Sequence, residues 1–148
     1  MARSKAATDR FVLDGSVTLA WLFLDERNAY ADAIVSKLPN LEMIVPRLWH
    51  LEIANVLVGG ERRKRCTEAD TTQWLSYLAG LPIVVDELTE VRAWSDTIGL
   101  SRQHGLSAYD ASYLEVALRN RVPIATLDAT LKAAAKRAHV PIYQPLGR

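Results

Sequence analysis

The chain has 148 residues, of which 49% are hydrophobic and 24% are charged, and these fractions are ordinary for a single globular domain. They exclude a disordered, collagen-like or coiled-coil chain, and the net charge of +1 does not by itself mark a nucleic-acid-binding protein. Since the single cysteine, Cys66, excludes an intramolecular disulfide framework and no apolar run approaches the ~20 residues of a membrane helix, we expect a cytoplasmic protein with no membrane partner.

Five short apolar runs predict the strands of a buried sheet. Each run is partly β-branched and is bounded by a turn residue such as Asp14 or Pro46. The runs are residues 11–13, 43–45, 83–85, 124–126 and 142–143. Continuous apolar runs of this kind are typical of parallel strands that are covered on both faces.

The segments between these runs repeat apolar residues at intervals of three and four, which predicts helices. The apolar stripes extend over residues 48–56, 74–79, 91–102, 106–117 and 131–138. Strands that alternate with helices predict the α/β class, arranged as a three-layer α/β/α sandwich with a central, mostly parallel sheet.

Local signals place some helix ends and the limits of the domain. Thr67, with Asp70 three residues later, predicts the cap of the second helix, and Gly59-Gly60 predicts the end of the first. No repeat or linker interrupts the alternation, so we expect one domain over residues 10–148. Residues 1–9 are expected to form a mobile amino-terminal tail.

Four acidic side chains occupy positions that are unusual for carboxylates. Asp14 follows the first predicted strand and Asp128 closely follows the fourth, and ligands of open parallel sheets bind at the carboxyl ends of the strands. Glu52 and Asp110 lie on the apolar stripes of their helices, where an unpaired carboxylate is costly. The four acids together therefore predict a bound cation.

Oxygen donors without nearby histidine or cysteine ligands indicate Mg²⁺ or Mn²⁺ rather than zinc. Carboxylates around such an ion are suited to phosphodiester cleavage, because the metal activates a water molecule and neutralises charge developing on the phosphate. Structural roles remain open for each acid, since Asp14, Asp110 and Asp128 could cap helices and Glu52 could pair with an arginine. The hydroxyl groups of two further residues, Ser16 and Thr126, could hydrogen-bond a ligating acid or act only in local structure.

Four segments taken together resemble the PIN-domain nucleases, and in particular the VapC-type toxins of prokaryotic toxin–antitoxin pairs. The segments are VLDGSV at 12–17, EIANVL at 52–57, LSAYDASYL at 106–114 and IATLD at 124–128. Their order and spacing extend the resemblance over residues 10–143. It implies a PIN-like α/β/α domain, metal-dependent cleavage of RNA, a cognate antitoxin and a homodimer.

Carried over residue by residue, the resemblance makes Asp14, Glu52, Asp110 and Asp128 the acidic quartet that holds the metal and performs catalysis. Thr126 matches the hydroxyl residue that precedes the last acid of the family pattern. The sequence departs from that pattern after Asp128, where residues 129–131 supply no further acid.

The strongest basic cluster follows Gly59-Gly60 and comprises Arg62, Arg63, Lys64 and Arg65. It could bind RNA phosphates near the acids, or it could form a solvated connection between two helices.

The sequence therefore predicts a Mg²⁺-dependent endoribonuclease that cleaves RNA phosphodiester bonds with a metal-activated water, as the toxin of a type II toxin–antitoxin system. The alternative is a non-catalytic PIN-like module that binds RNA or protein and keeps its acids for structure or for docking a partner's arginine. Metal titration distinguishes the two, because a binding module need show no stabilisation by Mg²⁺.

Overall fold

The computed structural model of the protein describes residues 7–145 and contains a four-stranded parallel sheet in the order β3-β2-β1-β4. The strands are β1 (Asp9–Leu13), β2 (Leu41–Pro46), β3 (Ile83–Asp86) and β4 (Ile124–Ala125). The first four predicted runs are thereby confirmed as strands, and the fifth contributes one parallel bridge between Ile142 and Ile124. Residues 1–6 of the expected tail lie outside the described part of the chain.

Eight α-helices flank the sheet within residues 7–145, which confirms the α/β class. They are α1 (Gly15–Leu22), α2 (Ala29–Val35), α3 (Leu48–Arg62), α4 (Glu68–Ala79), α5 (Thr89–Arg92), α6 (Ile98–His104), α7 (Ala108–Asn120) and α8 (Ala129–Arg137). A 3₁₀ turn, Leu24–Glu26, follows α1, and a π-helical turn, Ala93–Thr97, joins α5 to α6. Thr67 and Asp70 form the reciprocal capping box of α4 that their spacing predicts.

Helix α7 is the most deeply buried helix of the fold. Seven consecutive residues, 111–117, are buried, and the helix packs on β1 and β2. Such continuous burial fixes the position of the helix, because a well-packed core tolerates little movement. Side chains at the amino-terminal end of α7 are therefore presented from a rigid support.

The predicted end of α3 at Gly59-Gly60 is wrong, since the helix continues to Arg62. Gly60 is buried, and a Cβ atom there would lie 3.1 Å from Sγ of Cys66 and 3.2 Å from the ring of Phe23. Close packing inside the helix, rather than helix termination, accounts for a glycine at this position.

The stripe predicted over residues 91–102 does not face the core along its whole length. Val91 is 71% exposed and Trp94 is 91% exposed. The π-helical turn inserts a residue into the helical repeat, so a stripe read at intervals of three and four loses its phase there. No helix within residues 7–145 is both long and apolar enough to cross a membrane.

Candidate active site

The carboxyl edge of the sheet gathers acids from four separate segments. Asp14 directly follows β1, and Asp128 follows β4 and precedes α8. Glu52 lies in the second turn of α3, which begins after β2, and Asp110 lies in the first turn of α7. The parallel pairing of β1 with β2 and β4 brings the carboxyl ends of these strands to the same edge.

Asp14 is buried, with 7% of its surface exposed, and it is supported by two hydroxyl groups. Ser16 Oγ donates to Asp14 Oδ2 at 2.6 Å, and Thr126 Oγ1 donates to the same oxygen at 2.8 Å. The side chain of Asp14 forms no capping hydrogen bond to α1. Burial raises the pKa of the Asp14 carboxyl, the two hydroxyl groups partly offset that rise, and the charge of Asp128 adds to it.

The two hydroxyl groups also bind the chain that leads to Asp128. The backbone N–H of Leu127 donates to Ser16 Oγ at 2.9 Å, and that of Asp128 donates to Thr126 Oγ1 at 3.0 Å. Ser16 and Thr126 therefore join the loop after β4 to the carboxylate after β1.

Glu52 is half-buried and has a tyrosine as its partner rather than an arginine. The hydroxyl of Tyr113 donates to Glu52 Oε1 at 2.6 Å. Burial raises the pKa of Glu52, the bond from Tyr113 partly offsets the rise, and the charges of Asp14 and Asp110 raise it further. Burial and the same carboxylates raise the pKa of Tyr113 far above its ordinary value, so its hydroxyl stays protonated as a donor.

Asp110 does not cap α7, because Ser107 does so with a hydroxyl oxygen that accepts from the backbone N–H of Asp110 at 3.1 Å. The carboxylate of Asp110 lies near those of Asp14 and Asp128. Burial raises its pKa, and the charges of Asp14 and Asp128 raise it further. The side chain of Ser107 also interacts with this carboxylate and partly offsets the rise in its pKa.

Asp128 is exposed and acts as the N-cap of α8, since its Oδ1 accepts from the backbone N–H of Leu131 at 2.9 Å. Its charge nevertheless acts on both Asp14 and Asp110. One oxygen of Asp128 thus caps α8, while the negative charge of the carboxylate also affects Asp14 and Asp110.

The four carboxylates repel one another where they stand. Between Ala7 and Pro145, no three His, Cys, Asp or Glu side chains are close enough to share one metal ion without moving. The donors are all carboxylate oxygens, which is the ligand set that Mg²⁺ and Mn²⁺ prefer, so the chemistry of the group fits such an ion.

The basic cluster lies apart from the four acids, and Arg65 differs from its other members because it forms ion pairs. Arg62 ends α3 ten residues after Glu52, about 15 Å along the helix at 1.5 Å per residue. Arg65 is paired with Asp25 and Glu26 and lies over the ring of Phe23. The other three members, Arg62, Arg63 and Lys64, are exposed.

The structure contains two polar interactions that the sequence does not predict, one made by Tyr113 and one made by Arg119. Tyr113 lies on the apolar stripe of α7 and reads as a core residue, although its position three residues after Asp110 places it on the same helix face. Asp86 at the end of β3 binds Arg119 of α7 through two hydrogen bonds of 2.8 and 2.9 Å. Glu115 also accepts from Arg119, so the buried ion pair is a triad.

Comparison with known proteins agrees with this geometry. The family model of the PIN domain matches residues 11–137. The structure of PAE2754 from Pyrobaculum aerophilum is similar, with a TM-score of 0.63, 23% identity and 86% of each chain covered. A toxin–antitoxin complex from Klebsiella pneumoniae is similar with a TM-score of 0.54 and 16% identity, over 91% of this chain and 97% of that one. No curated protein sequence matches the chain.

The parallel sheet with helices around it defines an α/β domain, and the family-model match over residues 11–137 covers most of that domain. The chain belongs to the PIN domain family. Members of this family are generally metal-dependent nucleases.

Proposed function

We propose that the protein is a metal-dependent endoribonuclease and the toxin of a type II toxin–antitoxin system. The observation that carries the proposal is the meeting of four carboxylates from four separate segments at one edge of the sheet. Three of them have raised pKa values, because burial disfavours the charged carboxylates and the charges of the neighbouring acids add to the rise. A cation bound among these carboxylates would neutralise their charges and reduce their mutual repulsion.

Asp14, Glu52, Asp110 and Asp128 would hold Mg²⁺ or Mn²⁺. Asp14 and Asp110 are the first candidates, since neither carboxylate caps a helix, whereas Asp128 shares one oxygen with α8. The bound ion supplies Lewis acidity that activates water and neutralises charge on the scissile phosphate. Ser16 and Thr126 hold Asp14 in place, and Asp128 completes the site or orients the attacking water.

The exposed part of the basic cluster is a proposed contact for the RNA backbone. Arg62, Arg63 and Lys64 point into solvent, whereas Arg65 is occupied by Asp25 and Glu26. A single strand that is cut at the acids could reach these cations after a few nucleotides, because the separation along α3 is about 15 Å. Replacing the three exposed cations by serine should raise KM and weaken its salt dependence while leaving kcat largely unchanged.

A cognate antitoxin and a second copy of the chain are the proposed protein partners. The similar structure from Klebsiella pneumoniae is a toxin–antitoxin complex, which supports an antitoxin here. Large apolar side chains on the surface, with Trp94 91%, Leu24 82% and Val91 71% exposed, support contacts with other chains. Expression with and without the candidate antitoxin gene tests the toxin role, since growth should stop only when the chain is expressed alone.

One observation favours a second function. Within the described residues no three acids share a metal position as they stand, as a non-catalytic module that binds RNA or protein would also show. In such a module Mg²⁺ would not raise the melting temperature, whereas a ligand of the native state must do so.

The deciding experiment is cleavage of a mixed RNA pool by purified, antitoxin-free protein with Mg²⁺, with Mn²⁺ and with EDTA. Asp14→Asn and Asp110→Asn should abolish cleavage and remain folded. Asp32→Asn is the matched control, because Asp32 is exposed on α2 and pairs only at the surface with Arg27. Full activity of either site variant would overturn the proposed site, and a folded wild-type protein that is inactive in every metal would favour the binding module.

A further inference from the structure

Tyr113 combines complete burial with a polar contact to the acidic group. It is among the largest fully buried side chains of the described residues, with 0% of its surface exposed. Its hydroxyl reaches from α7 to Glu52 Oε1 on α3 at 2.6 Å, a length typical of a hydroxyl that donates to an ionised carboxylate. Packing alone does not explain this hydroxyl, since phenylalanine would fill nearly the same volume.

We propose that Tyr113 is a positioning residue that holds the carboxylate of Glu52 in place for metal binding. The catalytic consequence rests on the proposed function, because Glu52 is a metal ligand only there. Glu52 is half-buried and has a long side chain, and it faces the like charges of Asp14 and Asp110. Without a donor on Oε1, this side chain is free to rotate away from the other two acids.

Helix α7 supplies both an acid and the donor that orients a second acid. Asp110 and Tyr113 are three residues apart and therefore lie on one face of the helix. The burial of residues 111–117 fixes that face relative to the sheet. One rigid helix thus sets the position of its own carboxylate directly and that of the carboxylate on α3 through a hydrogen bond.

The test compares Tyr113→Phe with Tyr30→Phe. Both variants remove one hydroxyl and keep the ring, but Tyr30 donates to the backbone oxygen of Tyr143 at 2.7 Å and does not contact the acids. We expect Tyr113→Phe to bind Mn²⁺ roughly tenfold or more weakly by calorimetry and to lose a similar factor in kcat with little change in KM. Tyr30→Phe should match the wild type in Mn²⁺ affinity and kcat.

A double-mutant cycle separates positioning from a general structural effect. If Tyr113 acts through Glu52, then adding Tyr113→Phe to Glu52→Ala should cause no further loss of Mn²⁺ affinity. An equal loss in the presence and absence of Glu52 would overturn the proposal. So would wild-type Mn²⁺ affinity and kcat in Tyr113→Phe.

Failure of the proposed function is recognised separately, as a wild-type protein that neither binds Mn²⁺ nor cleaves RNA. In that case crystal structures of the metal-free wild type and Tyr113→Phe decide the positioning role. A Glu52 side chain that rotates or becomes disordered in the variant supports it. A Glu52 side chain that keeps its wild-type position contradicts it.

Discussion

Thr126 donates a hydrogen bond of 2.8 Å to Oδ2 of Asp14, although 112 positions of sequence separate the two residues. The same hydroxyl accepts from the backbone N–H of Asp128 at 3.0 Å. One side chain thereby fixes Asp14, the most buried of the four candidate site acids, and the start of the segment that carries Asp128. This bond adds to the backbone hydrogen bond that Asp14 N–H donates to Ala125 O at 3.0 Å, where the ends of β1 and β4 pair.

Thr126→Val should lower both stability and cleavage. Valine keeps the shape of threonine but leaves the buried Asp14 with one hydroxyl donor fewer and the N–H of Asp128 without its acceptor. Loss of one partner from buried polar groups costs about 1–3 kcal/mol of the free energy of unfolding. Because Asp14 is a proposed metal ligand, its displacement by this change should reduce the cleavage rate roughly tenfold or more. Urea unfolding and initial rates of RNA cleavage measure the two effects.

Thr97→Val is the matched control for that experiment. Thr97 is also buried, but its hydroxyl has no hydrogen-bond partner in the described part of the protein. Replacing an unpaired buried hydroxyl by a methyl group should leave stability unchanged or raise it by up to about 1 kcal/mol. Cleavage should stay at the wild-type rate. A comparable loss of cleavage in both variants would mean that Thr126 acts only through the core.

Asp110→Asn should stabilise the metal-free protein at neutral pH while it abolishes cleavage. The pKa of Asp110 is raised by burial and by the charges of Asp14 and Asp128. The folded protein therefore binds more protons than the unfolded chain between the ordinary pKa and the raised one, and stability falls as pH rises through this window. Removing one of the repelling charges should raise stability by about 1 kcal/mol, or ~2–4 °C in melting temperature.

The pH and metal dependence of melting check this sign. As the pH falls from 7 toward the ordinary carboxyl pKa of 3.8, the metal-free wild type should gain stability relative to Asp110→Asn, since protonation relieves the same repulsion in the wild type. Saturating Mg²⁺ should raise the melting temperature of the wild type more than that of the variant. A wild type that loses stability over this range relative to the variant would contradict the raised pKa.

Much of this arrangement follows from local sequence. Asp14 and Asp128 are predictable because they follow apolar strands whose parallel pairing brings their ends together. Glu52 and Asp110 are predictable because a carboxylate on an apolar stripe needs a partner. The identity of that partner is a tertiary fact, and nothing in the segments around Glu52 indicates that Tyr113 will reach it.

Two sequence-based predictions are wrong, for different physical reasons. The sequence at Gly60 predicts a helix end, but Gly60 lies within α3. Its lack of a side chain allows close packing against Phe23, which is distant in sequence, and Cys66, which follows the helix. Trp94 reads as part of a buried stripe, yet a π-helical turn moves it into solvent. At Gly60 a tertiary contact overrides the local pattern, whereas at Trp94 a local insertion shifts the helical repeat.

Arg119→Met should destabilise the protein strongly. Arg119 joins α7 to the end of β3 through Asp86 and Glu115, whose side chains are only 8% and 4% exposed. Removing the cation leaves two buried carboxylates without their partner, which costs about 3–5 kcal/mol. The comparison is Arg92→Met, because Arg92 forms an exposed i,i+4 pair with Asp96 that contributes about 0.3–0.5 kcal/mol. Urea unfolding at pH 7 measures both variants.

The same triad predicts a loss of stability in acid. Burial alone would raise the pKa of Asp86, but the hydrogen bonds and charge of Arg119, with the backbone N–H of Leu88, hold it below its ordinary value. A lowered pKa contributes stability above the unfolded value near 3.8, and this contribution disappears as pH falls below it. Acid unfolding of the wild type should therefore steepen below about pH 4, and Arg119→Met should lack this component.

Gly59→Ala and Gly60→Ala should differ although the two residues are neighbours in one helix. A Cβ at Gly59 meets nothing within 4 Å, so alanine there should stabilise α3 by about 0.5–1 kcal/mol through its higher helix propensity. A Cβ at Gly60 would lie 3.1 Å from Cys66 Sγ and 3.2 Å from the Phe23 ring, and these buried groups must shift to admit it. Gly59→Ala should consequently unfold at a higher urea concentration than Gly60→Ala. Equal urea midpoints for the two variants would contradict this prediction, because they would show that Phe23 and Cys66 can move to admit the Cβ atom at no cost in stability.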